Sequence, residues 1–503
     1  MAYTRPGVYV SEGAFKTISV PGSTTVPAAF VGTTPRGPIT PKKIGSWTQY
    51  KSVFGDIEDA YDLSYAVYHF FVNGGRDAYI SRVYNSDTTT AASVAFRNIL
   101  GTVDDGASET LFKLSAENPG VWGNDLTVTV SAGLVTGDTP TFTMVVENDG
   151  TEVERWTELS IDPDNNRYVS TVINTYSTYV SVSNVAEYTE SYTVTTVTDG
   201  EFASGSDGSA ANSSESNAEW TNAIDRLDNV TEEILINMVG MTTASVVNST
   251  LTYCENRGNA FLVIDPSSVT SGSEAVSAIS GYSASSYGAV YYPKLKMNDP
   301  SKTGLAAVRD TFPGGALLGL YARVEAERTV AKAPAGYAHD VRGALGLVTK
   351  FTEAEEGTLY TNHINTMKSI LGGGVIVNGA RTLKKTDITK YVPTRRSLNF
   401  IKSQTKRLTE FAVFEPNDDK LWTTIQVTLS KFLASFWGSG GLKGRTAAEA
   451  FYVLCDSSNN TANTIENGEV HVEVGVALQT PAEFIVIEVS QFSGGTSATT
   501  ENV

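Results

Sequence analysis

Two short runs with almost no polar alternation constrain this chain more than any other feature. Ile234-Leu235-Ile236-Asn237-Met238-Val239 and Phe261-Leu262-Val263-Ile264-Asp265 are short for helices and too continuously apolar for strands with a wet face. Runs of this kind fit strands covered on both sides. Between them, Val246, Val247, Leu251 and Cys254 recur with the period of an amphipathic helix. Strand, helix, strand in that order predicts a mainly parallel sheet with right-handed crossovers. Ala289-Val290-Tyr291-Tyr292 supplies a third strand. Upstream, Ala29-Phe30-Val31-Gly32 and Tyr79-Ile80-Ser81-Arg82-Val83 read as strands. Between those two, Leu63, Ala66, Val67, Phe70 and Phe71 mark a helix that Asn73-Gly74-Gly75 stops.

The period changes after the second of these strands. Leu126-Thr127-Val128-Thr129-Val130 and Tyr192-Thr193-Val194-Thr195 alternate with period two, as strands wetted on one face do. A β-sandwich or barrel inserted at residues 91–210 is the expectation. It divides an α/β core into segments 28–90 and 217–358. An α+β unit at 359–480 follows. There Ile364, Met367, Ile370 and Leu371 read as a helix ended by Gly372-Gly373-Gly374. Leu398, Ile401, Leu408 and Phe411 mark a second helix, and Leu421 through Phe436 a third. Strands are expected at 452–454, 470–474 and 484–489. Residues 1–27 hold too little apolar surface for a domain, so Arg5-Pro6-Gly7-Val8-Tyr9-Val10 reads as an extended arm. Residues 481–503 read as a strand followed by a flexible tail.

Charge is unevenly spread. The 503 residues carry a formal net charge of −18, which disfavours wholesale nucleic-acid binding. Residues 84–240 hold 25 acidic and 5 basic side chains, so this third of the chain carries the whole excess. Residues 361–414 hold 10 basic side chains against Asp387 and Glu410. No apolar run approaches the roughly 18–20 residues that span a membrane, and Met1 to Pro6 lacks the features of a signal peptide. Two cysteines, Cys254 and Cys455, make no disulfide framework. The expectation is a soluble, multidomain protein made in a reducing cytoplasm.

Catalytic constellations are missing from the sequence. His69, His339, His363 and His471 form no H-E-x-x-H pair, and neither C-x-x-C nor G-x-S-x-G occurs. Gly438-Ser439-Gly440-Gly441-Leu442-Lys443-Gly444-Arg445-Thr446 fails as a phosphate loop, because Leu442 stands where that loop needs glycine before its lysine. His69 reads as a packed helix residue and His471 as one on a solvated sheet face. No cofactor or metal is expected.

A series of landmarks remains, spread over almost the whole chain. Pro6-Gly7-Val8-Tyr9-Val10 is followed by Ala28-Ala29-Phe30-Val31-Gly32-Thr33-Thr34-Pro35-Arg36-Gly37-Pro38 and by Trp47 with Phe54-Gly55. Then come Ala66 to Gly75, and Asn118-Pro119-Gly120-Val121-Trp122-Gly123-Asn124-Asp125. Tyr321-Ala322-Arg323 precedes Ala331 to Gly336. Gly379-Ala380-Arg381-Thr382, Arg395-Arg396, Phe414-Glu415-Pro416-Asn417-Asp418 with Leu421-Trp422, and Pro481-Ala482-Glu483-Phe484 complete the series. In order and spread it resembles the tail sheath proteins of contractile-tailed bacteriophages and related contractile injection systems.

The resemblance implies a subtilisin-like but non-catalytic α/β core, with Trp122, Gly123, Asn124, Arg323, Arg381, Arg395, Arg396, Glu415, Pro416 and Asn417 as structural motif residues. It implies a structural subunit of a virion tail, assembled in the host cytoplasm as stacked hexameric rings around a tail tube. Its contraction would drive the tube through a target envelope. The implied partners are copies of itself, the tube protein, and baseplate and tail terminator proteins, with no direct nucleic-acid contact and no membrane insertion. Strands Gly7, Val8, Tyr9, Val10 and Phe484, Ile485, Val486, Ile487, Val489 would then pair with neighbouring subunits. The basic segment would face the tube, with Lys384, Lys385, Lys402, Lys406 and Arg407 as contacts. Arg381, Arg395 and Arg396 have an equal alternative use, binding carboxylates inside the fold or between subunits. The acidic insert would face outward. Two other readings stay open: a divergent or inactive hydrolase-like enzyme, and a surface binding module presenting the β insert.

Overall fold

A computed structural model describes residues 25–85, 94–103, 107–135, 140–187, 192–207, 217–269, 271–304, 307–370 and 374–483. The expected arm strands at 7–10 and 484–489 lie outside the described residues.

The chain enters a central sheet at once. Strands β1 (Ala28–Gly32), β2 (Lys42–Ile44) and β3 (Ala78–Arg82) flank helices α1 (Trp47–Phe54) and α2 (Asp62–Val72). After the insert come α4 (Asn217–Asp225), β12 (Ile234–Met238), α5 (Ala244–Arg257), β13 (Ala260–Ile264), α6 (Gly272–Ala278) and β14 (Gly288–Tyr292). A small antiparallel sheet of β15 (Leu295–Asn298), β16 (Val308–Thr311) and β17 (Ala344–Leu347) follows, with α7 (Gly314–Glu327) between its last two strands. Then stand α8 (Glu353–Thr361), β18 (Ile364–Ser369) and β19 (Val375–Asn378). Among the described residues the central sheet has eight strands in the order β19-β18-β14-β13-β12-β1-β3-β2. The six inner strands pair in parallel, and only β2 and β19 at the edges run antiparallel. The apolar runs that predicted doubly covered strands are β12 and β13, every residue of which is buried.

The insert is a sandwich. Strands β4 (Phe96–Val103), β5 (Ala107–Ala116), β9 (Val180–Ser183) and β10 (Tyr192–Val194) make one antiparallel sheet. Strands β6 (Leu126–Ala132), β7 (Phe142–Asn148), β8 (Thr151–Leu159) and β11 (Val197–Glu201) make the other. Their inward residues and helix α3 (Val169–Tyr176) share one core, with Phe112 stacked on Phe142. The C-terminal unit holds α9 (Val392–Arg407), α10 (Asp419–Gly438), α11 (Ala447–Ala450), β20 (Phe451–Leu454), α12 (Ala462–Glu466) and β21 (Glu473–Val476).

Two expectations are corrected. The segment beginning at Ile364 is not a helix but strand β18, inside the central sheet. Its polar residues misled the periodicity, because Asn365 and Thr366 are buried rather than wet. Asn365 donates to the carbonyls of Val290 and Arg381 at 3.0 and 2.7 Å. The central sheet therefore takes in β18 and β19, beyond residue 359 where the sequence reading opened the last unit. The strand expected at 470–474 starts later, as β21. Asn460 takes the place of a ladder partner at His471: its side chain accepts from the His471 amide at 2.6 Å and donates to the His471 carbonyl at 3.0 Å. His471 thus sits outside a strand, exposed and 3.0 Å from Glu469.

Helix α7 is buried along all of its first twelve residues, and it packs on α2. Gly315 and Gly319 permit the approach, since a methyl group on either would overlap a backbone carbonyl oxygen of Ala66 or Phe70. Gly315→Ala should therefore lower stability by roughly 1–2 kcal/mol despite alanine's better helix propensity. Urea unfolding of the two proteins measures this difference.

Candidate assembly surface

Register fixes which end of the sheet matters. Ala28 lies opposite Leu235 and Ala78, Ile234 opposite Ala260, Leu262 opposite Gly288, and Val290 opposite Ile364. All six parallel strands thus begin at one end. Helix α9 lies across that end. Pro393 stands in its first turn, where a missing amide costs nothing. Asn399 donates to the carbonyl of Ala260 at 3.1 Å, and the Arg395 guanidinium lies 4.4 Å from the Tyr287 ring centre.

A buried charge cluster fastens α9 there. Arg396 is 1% exposed and meets Glu325, at the lower end of α7, at 2.5 Å. Its guanidinium lies 5.0 Å from the centre of the Tyr321 ring, whose hydroxyl bonds that of Tyr291. Glu233, just before β12, completes the group. Burial first, and the charge of Glu325 second, push its carboxyl up to about 8, against the pull of Arg396, Ser403 and Arg395. Glu233 is therefore neutral at pH 7.

Both chain exits lie at the same end. The N-terminal segment arrives at Pro27, whose carbonyl accepts from Leu235 at 3.0 Å. At the other exit, Glu483 accepts from Arg381 Nε at 3.0 Å and Nη2 at 2.7 Å. The Arg381 backbone is itself held by Asn365. Nearby, β20 and β21 form a two-stranded antiparallel sheet on α10. A pair of strands is marginal alone, and an open edge is a template for another strand. Gln426 covers the Val453 carbonyl of β20 at 3.0 Å, and no strand pairs with the outer edge of β21 among the described residues.

Residues 384–492 match the family described as the phage tail sheath C-terminal domain. The whole chain is also similar to a solved sheath complex of an extracellular contractile injection system, PVC, in its contracted state. Identity is 22%, 98% of each chain is covered, and the TM-score is 0.58. A helical sheath of the anti-feeding prophage, also contracted, is 20% identical over 97% of this chain and 100% of its own, with a TM-score of 0.60. The sheath tail protein Lin1278 from Listeria innocua is 12% identical over 90% of this chain and 95% of its own, with a TM-score of 0.62. No curated protein matches the sequence. The chain has the fold of a contractile sheath protein.

Within the C-terminal unit and the sheet beside it, the cations marked in the sequence divide. Arg381 and Arg396 bind carboxylates inside the fold, and Arg395 donates to Asn399 at 3.1 Å. Lys384 meets Asp387 at 2.9 Å. Lys385, Lys406 and Arg407 are exposed, Lys402 is half-buried, and Arg407 donates to Gln404 at 2.7 Å. The turn before α10 carries the Phe414–Asp418 motif. Asn417 accepts from Trp422 Nε1 at 2.8 Å and donates to the Glu469 carbonyl at 3.0 Å, while Asp418 caps α10. Glu415 and Pro416 are exposed. Arg323, on α7, binds the Asp340 carbonyl.

Trp122, Gly123 and Asn124 build the neck of the insert. Asn124 exchanges bonds with the Gly205 backbone at 3.0 and 2.8 Å, and Gly123 packs on Ala95 and Ala116. Nothing in the sequence marks Glu233 or Glu325, because a lone acid beside an apolar stretch has no motif. His69, expected to be packed, is buried without a hydrogen-bond partner in the described structure, and burial holds its imidazole down at about 4.

Removing the cation of the buried cluster should cost most. Arg396→Met leaves Glu325 uncompensated and should destabilise by about 3–5 kcal/mol. Glu325→Gln should cost less, since Glu233 can then ionise and take over the pairing. Chemical denaturation of both variants ranks them.

The pH dependence has a definite sign. Between the ordinary carboxyl range and about pH 8, the folded state keeps a proton on Glu233 that the unfolded chain has released. Stability from this group is full below pH 4.5 and falls as pH rises through 8. Glu233→Gln should remove that slope and add on the order of 2–3 kcal/mol at pH 7, with no gain near pH 4. Thermal midpoints across pH 4–9 check it.

Proposed function

We propose that the chain is the structural subunit of a contractile sheath. It polymerises as stacked six-membered rings around a tail tube and contracts to drive the tube through a target envelope. The observation that carries this reading is the gathering of parts at one end of the central sheet. The C-terminal sheath domain, both chain exits and an open-edged strand pair stand together there. Arms leaving that end can add strands to a neighbour's β20–β21 pair through main-chain hydrogen bonds. Residues 7–10 and 484–489 are the strands we assign to this exchange.

The parallel sheet serves as the subtilisin-like scaffold without catalysis. The histidine partners support this: His339 bonds Glu327, His363 bonds the Thr382 carbonyl, and His471 bonds Glu469. None of them meets a serine or cysteine among the described residues. Exposed Lys385, Lys406 and Arg407, with Lys402, form the surface assigned to the tube, where screened charge attraction gives register yet releases. The sandwich insert, which holds most of the acidic excess, takes the outer face. Baseplate and terminator proteins cap the two ends of the polymer. In this reading the protein assembles in the host cytoplasm and resides in the particle tail.

Deleting residues 1–20, or residues 484–503, should leave folded subunits that no longer form long striated tubes by electron microscopy. Normal tubes from either deletion would refute the strand exchange. Charge reversal at Lys402 and Lys406 should weaken polymerisation on the tube, and unchanged tube-templated growth would sink the tube assignment.

A further inference from the structure

Phe414 is out of place by two independent measures. The residue is 87% exposed, and its backbone sits at φ 68°, a region that bulky residues avoid. Strain and exposure both cost free energy, and a strained exposed aromatic is a pointer to function. The turn behind it is rigid, because Asn417 and Asp418 lock its far side to Trp422, Glu469 and the first turn of α10. The ring is therefore held out from the surface on a fixed stem. Glu410 and Glu415 beside it are exposed, and neither forms a salt bridge among the described residues.

The opposite feature lies at the far end of α10. Beyond its last residue, a cleft of about 690 Å³ opens between the core and the C-terminal domain. Ala335, Tyr360, Val377 and Pro481 supply apolar wall, and Arg328 and Lys332 supply cations. Lys332 donates to the carbonyls of Ala333 and Ala335, and Arg328 is exposed. Neither cation forms a salt bridge among the described residues. Three acids line the cleft as well: Glu356 is paired with Lys368 and Glu483 with Arg381, while exposed Glu353 forms no salt bridge among the described residues, so the two cations outnumber the one acid left without a basic partner.

We propose that Phe414 of one subunit seats in this cleft on a second copy of the chain. Glu410 and Glu415 then meet Arg328 and Lys332. The chemistry matches on both counts, an aromatic for the apolar part of a mixed wall and acids for two bases that have no carboxylate partner among the described residues. The placement matches as well. Knob and hole stand at opposite ends of a 20-residue helix, a span of roughly 30 Å. One molecule can therefore offer its knob while its own hole is filled by another. A contact of that kind is head-to-tail and propagates as a ring or an open helix. The inference rests on the sheath reading, because it names a contact within the polymer.

The test uses the full-length protein. Phe414→Gly removes the ring and the backbone strain together, so its thermal midpoint should equal or exceed that of the unmodified protein. Its polymers should nevertheless require a roughly tenfold or higher protein concentration, read by sedimentation. Ala335→Trp, which fills the cleft, should act the same way. Pro416→Cys subunits, which keep the Phe414 ring, and Ala335→Cys subunits, mixed and polymerised, should be joined by a short bismaleimide, against a low background because Cys254 and Cys455 are buried. Polymerisation of Phe414→Gly at the usual concentration, or polymers that yield no cross-link, would overturn the contact while leaving the sheath reading intact. Loss of growth on the tube alone, with free sheath assembly unchanged, would also overturn it. An unmodified protein that never polymerises would remove the sheath reading itself, and this contact with it.

Discussion

The buried contact between Arg396 and Glu325 is the constraint on which the rest of the architecture hangs. Helix α7 runs the height of the central sheet. Its upper end is held by Asp265, which accepts from the Gly314 amide at 2.8 Å and also from Asn237 and Gly240. Its lower end is held by Arg396. A buried ion pair gains little over well-packed apolar groups, since desolvation consumes most of the attraction. What it does supply is geometry. A guanidinium needs its acceptors in one place, so α9 can settle on the strand ends in one register. The C-terminal domain and both exits inherit that register.

The same logic applies where the chain leaves the fold. Glu483 is clamped by two bonds from Arg381, and the Arg381 backbone is pinned by Asn365 of β18, which also binds the Val290 carbonyl in β14. A pull on residues beyond 483 passes through four named groups into the middle of an eight-stranded sheet. At the opposite junction, Arg82 donates to the carbonyls of Pro35, Gly37 and Pro119, and Arg36 bonds Lys51, Ser52 and Tyr179. Burial lowers Arg82 to about 10, which still leaves it charged at neutral pH. These two arginines tie the sandwich to the core by its neck. Among the described residues, core, sandwich and C-terminal unit are thus packed together through arginines.

The sequence was most informative where one period ruled a segment. Doubly covered strands β12 and β13, the alternating strands β6 and β10, and the long stripe of α10 were all legible. Strand β18 was not, because buried Asn365 and Thr366 have polar side chains and internal partners. Periodicity counts polar residues as wet, and it fails wherever a side chain replaces water. The same limit hid the joint. Arg395 and Arg396 were visible as a motif, but the acids they answer to lie 71 and more residues away in the chain. Phe414 was visible as part of its motif, yet its exposure and its backbone angle are facts of three dimensions only.

The basic stretch near the C-terminal helices shows why a charge count alone assigns no role. Three of its four arginines behave differently from its exposed lysines for a physical reason, while Arg407, at the end of α9, is exposed as they are. A guanidinium is planar, weakly hydrated and able to serve several acceptors at once, so it can be buried against carbonyls and carboxylates. An ammonium is strongly hydrated and stays near water. Arg381, Arg395 and Arg396 accordingly went inward to build the joint, while Lys385 and Lys406 stayed outside. The surface left for a partner is smaller than the sequence charge suggests. Of its residues, Lys402, Lys406 and Arg407 are mounted on helix α9, whose other end is locked by Arg395 and Arg396. A charged face of that kind keeps its spacing whether or not a partner is bound, which is what the proposed tube contact would need for register.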